Sequence, residues 1–592
     1  MKRLRLFLAI LSAISALSTI MVTGCSNFNM TANGFNPSAP TPAALSSPIT
    51  PTIPTTTETP PVFSPFSDPV MVAMTGTHTT YDVGPGKTHT DLDTIPWGAL
   101  VAGDVVNIYW RATPYNWKIG LRGQGTADKP IVVNGVTDAS GNRPCLDFKN
   151  AKTAPLCNAG NGNDVFMTHD DLKYPSEPLG GIIIKQGPAD AWGPPDTPYE
   201  PCWIQIKNLE LKGAANGNGF TDMDGTAAKY DGSGGVWINR GEHILLENLV
   251  VHDNGFGIFT MAKGNTFFEA VKWLTVRSCR VYGNGIVGDQ YVHNFYVQCH
   301  MPIIEGNYIG QVRDGSLGSS YKSRSSGEIF RYNYVLASAR AIDWVYSEEQ
   351  GDPVAGTGDG IAMQSEYGTD YAYGNIIMND ENTPLGAAGG AIHYGGDNLG
   401  SQYPGAPVMA DPGYRRHLYF WNNTVIVHAK QSQELYKLSF FDLSLVNTTV
   451  DAWNNIFTIN SDGKTPPEVS WVGYAGKLNL RGNNLLFYTG TITDSPITTD
   501  PAPDPGKYSV NQLGTLITGD PLLRNYATFD FGLGAGSPAI GKGTASPAGI
   551  PAQIDSWYPL SGQLRGATNG IVTRVKQGGV LDLGAIGYTP GI

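Results

Sequence analysis

The chain has 592 residues, a formal net charge of −12, only 15% charged residues, 73 glycines and 10% aromatics. Low charge with abundant Gly, Asn, Thr and Tyr points to an all-β chain rich in turns and excludes a helical bundle, while the length allows several domains. The acidic balance argues against nucleic acid as a partner.

Residues 1–24 read as a targeting segment. MKRLR is a basic head and LFLAILSAISALSTIMV a short apolar run followed at once by polar sequence. That pattern is a cleaved signal, not a spanning helix. Val22-Thr23-Gly24-Cys25 resembles the bacterial lipobox, which implies an acylated Cys25 holding the protein to a lipid membrane. Ser26, not Asp, follows the cysteine; by analogy with Gram-negative lipoproteins this implies the outer membrane. Residues 25–66 are rich in Pro, Thr and Ser with almost no charge, a tether that cannot bury a core. Residues 67–592 read as one unit: a cap and first coil over 67–135, coils over 136–490 and an irregular C-terminal capping segment over 491–592.

Five cysteines lie beyond Cys25: Cys145, Cys157, Cys202, Cys279 and Cys299. None forms a CxxC pair, so a structural zinc site has no support and no metal ligand is assigned. Cys145 and Cys157 are spaced for a local bridge in an oxidising compartment.

Between residues 200 and 490 an asparagine recurs before a short β-branched or aromatic run. The copies are IKNLELKG (Asn208), LENLVVHDNG (Asn248), EGNYIGQV (Asn307), RYNYVLAS (Asn333), YGNIIMND (Asn375), WNNTVIVH (Asn423), WNNIFTIN (Asn455) and GNNLLFYT (Asn484), and RSCRVYGNG puts Cys279 in the same slot. Short strands at this period describe a β-solenoid. Asn at a repeated turn tolerates a left-handed backbone, and stacked turns then form an Asn ladder.

Several stretches carry a resemblance: VGPGKTHTDLDTIPWGALVAGDVV, GTADKPIVVNGV, VHDNGFGI, VHNFYV, YKSRSSGEIFRYNYV, AIDWV, AIHYGGDN, LYFWNNTV and LGAGSPAIGKG with DLGAIGY. They resemble bacterial secreted β-helix proteins of the pectin-lyase-like superfamily over about residues 75–590. The resemblance implies a right-handed parallel β-helix and a polysaccharide partner, since most members act on acidic or branched polysaccharides along the outside of the helix. The NTD, GHG and RIK patterns of galacturonases and the DPHD pattern of alginate epimerases are missing, which leaves the reaction open.

Apolar alternation sorts inward from outward positions. In VHNFYVQ, Phe295 and Val297 go in, leaving Asn294, Tyr296 and Gln298 out. In YKSRSS, Tyr321, Ser323 and Ser325 go in, and Lys322 and Arg324 out. Asp343 comes out between Ile342 and Trp344, and His393 between Ile392 and Tyr394. In GGVWINRG, Trp237 and Asn239 come out. If these strands share a sheet, the outward residues form a column. Lys322, Arg324, Tyr296, Asp343 and His393 are then the candidate catalytic set, with Trp237, Asn239, Asn294 and Gln298 as candidate sugar contacts.

That set suits β-elimination of an acidic polysaccharide. A base takes the proton beside a uronate carboxylate, a cation neutralises the carboxylate, and an acid protonates the leaving oxygen. Lys322 suits the base, Arg324 the clamp, and Tyr296 or His393 the acid; Asp343 suits orienting Arg324 or holding Ca2+, the one cofactor the set allows. Two rivals stand beside it: a glycoside hydrolase using Asp343 with a second carboxylate, and a polysaccharide-binding protein without catalysis. Asp222, Asp224 and Asp231, and separately Glu348, Glu349 and Asp352, are acid-rich loops that read as solvated surface. Nothing in the sequence calls for a second copy, so the protein is expected to be a monomer.

Overall fold

The computed structural model describes residues 78–589 except 156–176, 186–199, 224, 262–265, 348–357, 380–389, 397–416, 430–437, 446, 462–468, 475, 490–507, 526–529, 565–570, 575 and 577–578. Cys25, the tether and Cys157 lie outside the described residues, as do Asp224, Glu348, Glu349 and Asp352.

Short parallel strands stack along one axis into a right-handed β-helix with three faces. Among the described residues the three main sheets hold 14, 13 and 11 strands. One coil shows the order of the path. Tyr321–Ser323 lies in sheet 2, Ile329–Arg331 in sheet 1 and Tyr334–Ala337 in sheet 3, and Ile342–Trp344 returns to sheet 2. There it pairs in parallel with the strand it started from, Tyr321 opposite Ile342 and Ser323 opposite Trp344. The stack begins at Thr80–Val83 and continues through Tyr508–Gln512 and Thr515–Thr518, so coil pairing extends into the segment expected to be a cap.

Apolar side chains from all three sheets meet inside. Such a core is stabilised by burial at roughly 25 cal/mol per Å² of apolar surface. Leu92, Ile95, Trp97 and Leu100 close it at the N-terminal end, where the Trp97 indole donates to the Leu92 carbonyl at 2.7 Å. The interior also holds a carboxyl group, Glu328, at 0% exposure. Glu328 accepts from the Tyr321 hydroxyl (2.7 Å) and the Trp344 indole (2.8 Å), and from the Ser323 hydroxyl. Of the serines in YKSRSS, Ser323 serves this buried carboxyl and also meets the Ser325 hydroxyl (2.9 Å), while Ser326 meets His300 (3.0 Å).

The corner between sheets 1 and 3 explains the recurring asparagine. It is turned by a left-handed residue on coil after coil: Asn208 (φ 60°), Asn248 (53°), Ser278 (54°), Gly306 (65°), Tyr332 (54°), Gly374 (68°), Asn422 (50°) and Asn454 (58°). The next residue points inward and forms the ladder. Asn333 donates through both its backbone N–H (2.9 Å) and Nδ2 (3.1 Å) to Asn375 Oδ1, and Asn375 does the same to Asn423 Oδ1 (3.0 and 2.9 Å). Asn307, Asn455 and Asn484 extend it, and Cys279 occupies the same slot, its N–H donating to Asn307 Oδ1 at 2.9 Å. Asn208 and Asn248 are a correction. They stand one position earlier, in the left-handed residue itself, and form a separate string from Asn134 through Asn208 (2.8 Å) to Asn248 (2.7 Å). Both slots accept Asn for different reasons, so spacing alone cannot separate them.

The C-terminal residues pack on the outer face of sheet 1. Ile554, Tyr558 and Leu564 cluster with Tyr332, Tyr373, Trp421 and Trp453. Cys145, Cys202, Cys279 and Cys299 carry free thiols, each pushed up from its ordinary pKa by burial.

Candidate functional site

The outward positions of sheet 2 fall into one unbroken row. In register it runs Gly120, Ile183, Trp237, Phe259, Tyr296, Lys322, Asp343, His393, Asp442 and Gly473. Neighbours stand one strand spacing apart, about 4.8 Å. The row thus brings together four of the five candidate catalytic residues, Tyr296, Lys322, Asp343 and His393, with the fifth, Arg324, just past the strand carrying Lys322.

One half of the row is aromatic. Trp237 stacks on Phe259 at 3.8 Å and Phe259 on Tyr296 at 5.0 Å. Trp237, expected as an open sugar platform, is instead 8% exposed, its face covered by Phe259 and its indole N–H donating to Asn239 Oδ1. Asn239 itself is half-buried. Two expected outward contacts are corrected more strongly. Asn294 is fully buried in a corner, where Oδ1 accepts from Asn284 (3.1 and 3.0 Å) and Nδ2 donates to the Gly310 carbonyl (2.8 Å). Gln298 is also fully buried, its backbone N–H donating to Thr260 Oγ1 at 2.9 Å. Alternation counts residues correctly along a strand but fails one step beyond it, because a corner turns the next side chain inward.

The other half is ionic and buried, Asp343 at 3% and His393 at 2% exposure. Arg324 links the halves: Nε donates to the Tyr296 hydroxyl (2.7 Å) and Nη1 to the Tyr346 carbonyl (2.8 Å). Asp343 is the hub. Lys322 Nζ donates to Oδ2 at 3.0 Å and Arg340 Nη1 to Oδ1 at 3.0 Å, and His393 Nδ1 lies 2.5 Å from Oδ1. Asp343 therefore orients His393 and Arg340, whereas the sequence pointed to Arg324. Burial opposes charge on Asp343, but Lys322, Arg340 and His393 outweigh it and hold its carboxyl well below the usual range.

An ionised Asp343 can only accept, so its contact with His393 places a proton on Nδ1. Nε2 is the ring's other nitrogen. It lies 3.2 Å from Ser444 Oγ, whose own proton goes to the Gly396 carbonyl at 2.8 Å. The geometry is a carboxylate-oriented imidazole flanked by two cations.

Three members of this cluster were missed in the sequence. Arg340 sits in a corner three residues before Asp343, outside any alternating strand. Ser444 follows the strand Leu438–Leu443. Asp442 was legible: Phe441 and Leu443 are core residues, so the alternation that found His393 also turns Asp442 outward. Burial pushes the Asp442 carboxyl up and the like charge of Asp343 adds to this, while Arg340, His393 and the Ser439 hydroxyl pull the other way. Asp343 and Asp442 thus flank His393 with opposite protonation tendencies. Among the described residues no His, Cys, Asp and Glu cluster is arranged to hold a metal ion.

No family model and no curated protein matches the chain. Among solved structures it is similar to a pectate lyase, Pel9A, at 11% identity and a TM-score of 0.39, covering 88% of this chain and 98% of that one. A GH136 lacto-N-biosidase from Eubacterium ramulus aligns at 13% identity and 0.39, covering 75% and 68%. An alginate lyase from Paenibacillus sp. aligns at 11% identity and 0.28, covering 71% and 92%. The chain's own stacked parallel sheets make it a parallel β-helix. The superpositions are too loose to transfer any residue's role, and the roles below rest on this chain's own geometry.

Proposed function

We propose that the protein binds an acidic polysaccharide along the outward row of sheet 2 and cleaves it by β-elimination. The observation that carries this reading is the Asp343–His393 pair held between Lys322 and Arg340, an oriented base beside cations in a chain of net charge −12. His393 Nε2 takes the proton next to the uronate carboxylate. Lys322 and Arg340 neutralise that carboxylate and stabilise the enolate that develops. Lys322, the base expected from sequence, is spent on Asp343 at 3.0 Å and suits the clamp better. Arg324 and Tyr296 stand two or more rungs away, about 10 Å or more at the strand spacing, and suit binding of a neighbouring acidic sugar.

The test is incubation with a panel of uronate-containing polysaccharides, following the ultraviolet absorbance of unsaturated uronate and the product masses. The expected result is unsaturated product, lost in His393→Asn. Shortened polymer without a double bond supports instead the hydrolytic reading, which Asp343 and Asp442 favour. They stand two rungs apart, on the order of 10 Å between backbones, near the about 6.5–9.5 Å carboxyl separation of inverting hydrolases. Binding without shortening supports a non-catalytic receptor. A chelator arm decides whether Ca2+ takes part.

On the same reading the protein is a monomer on the outer membrane, anchored through acylated Cys25. Cys25→Ser is expected to abolish palmitate incorporation and release the protein from membranes.

A further inference from the structure

Any cleavage at this site needs a proton for the departing oxygen. Without it the bond between sugar and oxygen would break to give an alkoxide, a poor leaving group. His393 cannot hold that proton while it acts as base. Lys322 and Arg340 are spent on Asp343. Asp343 is ionised by its three partners.

We infer that Asp442 is the general acid, giving its proton to the glycosidic oxygen of the leaving sugar. The inference rests on the polymer-cleaving reading, by elimination or by hydrolysis, and three observations carry it. First, Asp442 stands directly opposite His393 in register, on the side away from Asp343. Base and acid are then one strand spacing apart, about 4.8 Å between backbones, the reach across one sugar ring. Second, its two oxygens are treated differently. The Ser439 hydroxyl donates to Oδ1 at 2.7 Å, whereas Oδ2 is fully buried with no hydrogen-bond partner among the described residues. Asp442 is 1% exposed, and an unpartnered oxygen so placed is costly unless a visiting group meets it. Third, the following rung is Gly473, where an added Cβ would come 2.6 Å from Asp442 Oδ1. The row carries no side chain at this position, where one would crowd the carboxyl.

The step balances. In elimination His393 Nε2 takes the proton on the carbon beside the carboxylate, and that C–H pair becomes the new double bond. The carbon–oxygen bond breaks with its electrons going to oxygen, which takes the Asp442 proton. Asp442 is left a carboxylate one rung from the imidazolium just formed, with Arg340 nearby. The resting protonation states return by transfer from His393 to Asp442 through solvent.

The experiment compares Asp442→Asn with the wild type on two probes. One is the panel polymer that the wild type cuts. The other is the same uronide carrying 4-nitrophenolate at the position that is cleaved, a group that leaves without a proton. The expected result is a loss in kcat of about 10²–10⁴-fold on the polymer, a loss under about tenfold on the nitrophenolate probe, and disappearance of the alkaline limb of the pH profile. Equal losses on both probes, or none on either, overturn the assignment while leaving the cleavage reading intact. A wild type that cuts neither probe overturns both. Circular dichroism and the melting temperature of the variant distinguish a collapsed site from a missing proton, since a merely structural role predicts losses that do not depend on the leaving group.

Discussion

Asp343→Asn is expected to cost more stability than removal of any one of its partners. The carboxylate receives Lys322 at 3.0 Å and Arg340 at 3.0 Å, both largely shielded from water. At an effective dielectric of about 20, each 3.0 Å contact is worth about 5–6 kcal/mol gross. Desolvating three charged groups offsets most of that. What does not cancel is the state of the survivors: without Asp343, two buried cations each lose a carboxylate and repel one another across its place. Removing one side of a buried pair costs about 3–5 kcal/mol, and that is the expected loss for Asp343→Asn. Lys322→Met leaves Asp343 with Arg340 and His393, and the charged hydrogen bond that Asp343 loses is worth about 1.5–3 kcal/mol. The double variant should cost less than the sum, because removing Lys322 relieves the repulsion that Asp343→Asn creates. Guanidinium denaturation followed by tryptophan fluorescence measures all three, provided the slope is unchanged. The reasoning is refuted if Lys322→Met costs as much as Asp343→Asn, or if the two add to within about 0.5 kcal/mol.

Three further predictions concern the frame. Asn375→Leu keeps volume but orphans the Asn333 backbone N–H and takes the side-chain amide from the Phe330 carbonyl, while Asn333 Nδ2 keeps the Ile304 carbonyl and Asn423 Oδ1 keeps the backbone N–H of residue 375; at about 1–3 kcal/mol for each buried orphan, with partial relaxation, the unfolding free energy from chemical denaturation should fall by about 2–4 kcal/mol. Cys279→Asn should be neutral or stabilising by up to about 1.5 kcal/mol in the same assay, because the ladder would run one rung further with Asn307 already in place. Acid should weaken the fold through His243 and His300, both held down to about 4 by burial, with Lys272 adding to each and Glu366 opposing at His300. The unfolded chain binds more protons than the folded one between about 6.5 and 4, so the stability these neutral rings allow is complete above about 6.5 and lost as pH falls toward 4. Denaturation midpoints across that range check it, and His243→Phe should flatten the slope.

The solenoid was legible because its signal is redundant. Asparagine spacing, alternation and turn residues repeat on many coils, so an error on one is outvoted by the rest. The row of Tyr296, Lys322, Asp343 and His393 was legible for the same reason, since strand parity is a local count. Burial was not legible. Parity says that Lys322 leaves the core, not that it remains 7% exposed once its neighbours close round it. Asn294 and Gln298 failed where a strand ends and the period of two no longer holds. Arg340 failed differently: its place beside Asp343 depends on the path of a corner, which no periodicity encodes.

The asparagine ladder has a direction. Every rung from Asn307 to Asn455 presents Nδ2 to the following coil and Oδ1 to the preceding one. The amides therefore line up head to tail and polarise one another, as hydrogen-bonded chains do. Asn484 ends the series by turning its Nδ2 onto the Ala452 and Arg481 carbonyls. On the coil beyond, Leu516 stands opposite Asn484 and offers no side-chain oxygen to the series. The amide series thus stops one coil before the strands do, with Tyr508–Gln512 and Thr515–Thr518 still pairing beyond it.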